Sequence, residues 1–183
     1  MAIEFIIQAS CPRALTAHEP DDESLSDAIQ TVFPLATERA ILMWNRICVP
    51  LSYKYDISEL ADDILRLLES MLAGGRGALV VEWPSSSFAA KWTITWTDAT
   101  TAIQAEWTSV SAGIESVLAS RGHIEVPTRE FLAEWRSLLV VVERALAGAG
   151  YTEAQLVGLE QLRRVIAELP GNSELYPDES TAA

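Results

Sequence analysis

Cysteine and histidine are nearly missing from this chain, which removes most metal and nucleophile chemistry at once. Two Cys and two His stand among 183 residues. Zinc sites need closely spaced Cys and His ligands, and neither C-x-x-C nor H-x-x-x-H occurs. The Glu-x-x-His pairs of di-iron bundles are missing as well. No metal and no cofactor is therefore expected. Cys11 and Cys48 make no disulfide framework. Cys48, within Ile47-Cys48-Val49, reads as a small core residue. Long apolar runs are also lacking. The longest aliphatic one is Leu138–Val142, whereas a membrane-spanning helix needs about 20 apolar residues. The first residues, Met-Ala-Ile-Glu-Phe-Ile-Ile, lack the basic start and long apolar stretch of a signal peptide. We expect no membrane association and a cytoplasmic location. No G-x-x-x-x-G-K loop is present.

Positive charge is the other scarcity. Thirteen Lys and Arg face 26 Asp and Glu, for a formal net charge of −13. Nucleic-acid binding draws on Lys and Arg to displace counterions from phosphates, and this field would repel them. Nucleic acid is thus not an expected ligand. The acids cluster. Glu19, Asp21, Asp22 and Glu23 lie in a proline-containing loop without an intervening base, and Glu59, Asp62, Asp63 and Glu69 share one face of a helix. These eight residues are the candidate partner-binding set. Ordinary solubility would explain either patch taken alone. The two patches together, without a catalytic set, favour a binding role over enzymatic activity.

Apolar residues make up 49% of the chain, enough for a sizeable core. Residues 2–9 read as a strand and Cys11–Glu23 as a loop. Ser24–Val32 reads as a short helix, and Glu38–Asn45 and Ile47–Ile57 as extended. The alternation of Val49, Leu51, Tyr53 and Tyr55 is that of a half-buried strand. Asp56-Ile57-Ser58-Glu59 reads as a capping box opening a helix over Ser58–Ala73. In that helix Leu60, Ala61, Ile64, Leu65, Leu67, Leu68, Met71 and Leu72 fall on one face.

Gly77–Trp83 reads as a strand and Pro84–Ser87 as a turn. Trp92, Ile94 and Trp96 then alternate with Thr93, Thr95 and Thr97, and Ile103, Ala105 and Trp107 with Gln104, Glu106 and Thr108. This predicts a hairpin with one aromatic face and one wet face. Ser109–Arg121 fits either a hairpin extension or a short helix. Helices are predicted over about Thr128–Ala147 and, after a second capping box at Thr152–Gln155, to about Leu169. The fold class is α+β: an antiparallel sheet with a Trp-rich hairpin, packed against about three amphipathic helices. Residues 1–171 form one domain, followed by an acidic tail at 172–183 expected to fray.

Three pairings invite a chemical reading. His123 and Glu125 share one side of a strand, but a surface histidine is the simpler account. Glu130 and Glu134 are four apart on a helix and are expected on its solvent side. Trp92, Trp96, Trp107 and Trp135 fit core faces rather than a ligand cage, and Trp44 and Trp83 fall at strand ends.

Three stretches, Leu51-Ser52-Tyr53-Lys54-Tyr55-Asp56-Ile57, Trp92-Thr93-Ile94-Thr95-Trp96 and Glu130-Phe131-Leu132-Ala133-Glu134-Trp135, resemble segments of bacterial immunity proteins, which neutralise polymorphic or contact-delivered toxin domains. The resemblance implies a small, acidic, non-enzymatic α+β protein that binds a cognate toxin domain and blocks its active site. It carries no functional residue over, because the matching positions read as core. An acidic surface suits a toxin with a basic cleft. The alternatives are an acidic secretion chaperone that grips an effector segment, and a small enzyme working with Glu and Arg.

Overall fold

The computed structural model describes residues 4–111 and 113–171. The predicted acidic tail at 172–183 lies outside them. The α+β class holds, with two antiparallel sheets in place of the one expected. The first contains β1 (Phe5–Gln8), β2 (Arg39–Trp44) and β3 (Ile47–Ser52) in that order, with α1 (Leu25–Val32) between β1 and β2 in the chain. The second is a four-stranded meander of β4 (Gly77–Ser85), β5 (Phe88–Trp96), β6 (Thr100–Val110) and β7 (His123–Pro127). Between the sheets in sequence runs α2 (Ser58–Leu72); α3 (Glu115–Ala119) precedes β7, and α4 (Thr128–Ala149) and α5 (Val157–Glu168) follow it.

The Trp/Thr alternation works as predicted. Trp92, Ile94 and Trp96 are buried while Thr93 and Thr95 are exposed, and Ile103 and Ala105 are buried opposite exposed Gln104 and Glu106. A bulge shifts the β5–β6 register between Ala89 and Ala90. The extra residue in β6, Thr108, lies between the partners Trp107 and Ser109 and lets Val110 turn inward. Trp44 and Trp83, placed at strand ends from sequence, are both core residues. Trp44 packs against Trp92 and Trp107, and Phe5 against Trp92, so aromatic rings join the inner faces of the two sheets. One connected core cluster extends from Phe5 to Leu169.

Several local expectations are corrected. Tyr53–Ile57 is not extended; it is one wide helical turn that runs directly into α2. Asp56 does not cap α2 from solvent. It is 1% exposed, and its carboxylate accepts the Ser52 N–H (2.7 Å), the Ser87 hydroxyl (2.6 Å) and the Ser85 hydroxyl. The β4–β5 turn is thereby tied to the start of α2. The second capping box is also replaced. Thr152–Leu156 closes a separate turn through the Leu156 N–H to Thr152 carbonyl bond (3.0 Å), and α5 begins only at Val157. Cys48 is exposed, because inward-facing Val49 and Leu51 force their alternate neighbours outward.

Glu134 is half-buried rather than solvated. Its Oε2 accepts the Ile7 N–H at 2.8 Å, while the Ser137 hydroxyl donates to the Ile7 carbonyl at 3.3 Å. α4 thus satisfies the free edge of β1. Burial raises the Glu134 carboxyl above the ordinary Glu range; the Ile7 bond opposes that shift and the Glu130 charge adds to it. His123 and Glu125 point outward on β7 as expected. Ser109–Arg121 combines both sequence readings: β6 runs to Val110 and α3 follows. None of the described helices is long and apolar enough to cross a membrane.

Candidate binding surface

The acidic loop is held in place by the α4–α5 turn. The Tyr151 hydroxyl accepts the Glu19 N–H (3.2 Å) and donates to the Asp22 carboxylate. Gln155 Nε2 donates to the Glu19 carbonyl (3.0 Å), and Gln155 Oε1 contacts His18 Nε2 at 2.7 Å. The His18 ring lies 4.5 Å from that of Tyr151. A segment that reads from sequence as a plain surface loop is therefore pinned by buried Tyr151, more than a hundred residues on and with no local signal linking the two.

α2 presents the second patch. Its apolar stripe is buried, which leaves Glu59 and Asp62 exposed on the opposite face. Asp63 pairs with Arg66. Glu69 accepts from Arg164 Nη2 (2.6 Å) and Gln161 Nε2 (2.8 Å), and the Arg164 bond is the main reason its carboxyl titrates below the usual range.

The fold brings the two patches together. Glu23 of the loop and Asp62 and Arg66 of α2 line one groove of about 520 Å³, with Val157 and Gly158 of α5 on its far wall. Gly158 makes that wall possible: a Cβ there would lie 2.7 Å from the Leu25 side chain, so a larger residue would push α5 away from α1. Val157 is 85% exposed at the rim. Of the eight residues singled out from sequence, Glu19, Asp21, Glu23, Glu59 and Asp62 carry exposed carboxylates without a hydrogen bond or ion pair among the described residues. Asp22, Asp63 and Glu69 are held by Tyr151, Arg66 and Arg164.

No known family model matches this chain, and no curated protein or solved structure matches it. Among the described residues no three His, Cys, Asp or Glu side chains gather where they could hold a metal ion. The groove offers two unpaired carboxylates, Glu23 and Asp62, against the single guanidinium of Arg66, beside an exposed valine. That combination suits electrostatic capture of a cationic surface.

Proposed function

We propose that this chain is an immunity-type binding protein that neutralises a cognate toxin domain by covering a basic cleft with the surface formed by the Glu19–Glu23 loop and α2. The observation that carries the reading is the meeting of one unpaired carboxylate from each of two acidic segments far apart in sequence, Glu23 and Asp62, on one groove. Acids retained only for solubility have no need to converge or to be fixed by a buried tyrosine. Rigid presentation lowers the ordering cost of association, and the net charge of −13 draws a cationic partner in.

The test is co-expression of the chain with the product of the gene adjacent to its own, where this reading expects the toxin domain. The parent chain protects growth, and the triple variant D21K/E23K/D62K, whose three side chains have no partner to lose within the fold, does not. Equal protection by a folded triple variant would remove this surface from the account.

A further inference from the structure

Each sheet has two edges, and the chain deals with three of the four. Glu134 and Ser137 take the N–H and carbonyl of Ile7 on β1. On β7, the Glu125 N–H donates to Glu4 (3.3 Å). β3 carries Pro50 within it, which removes a donor and blunts pairing. β4 differs. It pairs only with β5, and among the described residues nothing hydrogen-bonds its outer edge. From Ala78 to Val81 it has no charge and no proline, and Val80 is 53% exposed. Pro84 limits only its far end.

Beside this edge lies a groove of about 410 Å³, lined by Leu79, Val80, Val81 and Glu82 on one side and by Asp63, Arg66, Glu69 and Ser70 of α2 on the other. Successive strand residues send their side chains to opposite faces, so a wall made of four consecutive residues is the backbone edge itself. Every second residue there turns both its N–H and its carbonyl into the groove.

We infer that the groove between α2 and β4 takes an extended, basic segment of a partner protein as a fifth strand on β4. This rests on the reading of the α2 face as the partner's seat. Backbone hydrogen bonds to the β4 edge supply register and affinity. Asp63 and Glu69 are already held by Arg66 and Arg164, so Glu82 is the groove carboxylate left to a partner. With the net charge of −13 it favours Lys or Arg on its face of the added strand, while Leu79 and Val81, on the opposite face, offer apolar neighbours to the residues between. The same charges disfavour a second copy of this chain, since edge-to-edge pairing would bring two surfaces of like sign together.

The probe is a fluorescein-labelled synthetic peptide alternating lysine and valine, titrated by fluorescence anisotropy. Its matched controls are the same peptide N-methylated at alternate amides and a glutamate-for-lysine version. Binding should weaken at least about tenfold on N-methylation, from the loss of two or more backbone bonds, and comparably with glutamate. V80K/E82K, two outward-facing substitutions, should weaken it similarly, while hydrogen exchange of the parent shows new protection at β4. Equal binding of the N-methylated peptide, or protection confined to the Glu19–Glu23 loop, overturns the inference. The triple-variant growth assay reads the groove beside Glu23 and Asp62 and does not depend on this result. A chain that protects growth yet ignores the peptide therefore refutes strand addition alone.

Discussion

Replacing Asp56 with alanine should be among the most damaging single changes in this protein, although Asp56 touches no candidate partner residue. Its carboxylate serves three donors: the Ser52 N–H and the hydroxyls of Ser85 and Ser87. The Ser52 N–H has a fixed direction, so D56A leaves it orphaned in a buried junction, at about 1–3 kcal/mol. The two hydroxyls lie 3.4 Å apart and can turn toward each other, recovering part of their loss. The total should be about 2–4 kcal/mol, a large share of the roughly 5–15 kcal/mol that holds a typical domain together. D56N should cost only about 1–2 kcal/mol. Its Oδ1 can still accept from Ser52, while its amide donates to the serine oxygens. Urea unfolding followed by the emission of the six tryptophans measures both variants. D56A within about 0.5 kcal/mol of the parent, or D56N as damaging as D56A, would refute the view that Asp56 locks the β4–β5 turn to α2. Because that lock sets α2 beside β4, D56A should also weaken binding of the lysine–valine peptide.

Three further outcomes follow from single residues. The half-buried Glu134 carboxyl keeps its proton to higher pH in the folded chain than in the unfolded one, so its contribution to stability falls as pH rises through the window just above the ordinary Glu value. E134Q, whose amide oxygen can still accept from Ile7, should remove that decline; denaturation of both proteins across this window, with an unchanged slope in the variant, would contradict it. Arg46 sits at φ 67° in the β2–β3 turn, beside Asn45 at φ 45°. Glycine is at ease there, and R46G should raise stability by about 1 kcal/mol; a loss in thermal unfolding would show that the Arg46 side chain matters more than its backbone. Y151F frees Asp22 and the Glu19 N–H, and should cost about 1–2 kcal/mol and speed amide exchange across Glu19–Glu23; unchanged exchange would mean that the tyrosine does not pin the loop.

Where side-chain period alone decides structure, the sequence was sufficient. The Trp/Thr alternation over Trp92–Trp107 and the apolar stripe of α2 give both the elements and their buried faces. Reading failed where a distant group intervened. Tyr53–Ile57 continues the alternation of β3, yet it coils because Asp56 finds Ser85 and Ser87 some thirty residues on. Glu134 lies on what a helical wheel calls the wet side, yet the bare edge of β1 claims it. The acidic residues were visible as two patches, but their meeting depends on α5 packing close at Gly158 and on Tyr151 gripping the loop. Neither leaves a local signal. That β4 keeps an unpaired edge among the described residues was equally hidden, since strand order is a property of topology.

Association kinetics with the proposed toxin partner test the central claim most directly. Raising salt from about 0.01 M to about 1 M shortens the Debye length from about 30 Å to about 3 Å. The association rate of the parent chain should fall by about tenfold or more over that range. D21K/E23K/D62K should associate slowly even at low salt, with a flatter salt dependence and a much smaller change in dissociation. Equal association rates for parent and variant at low salt would contradict the account.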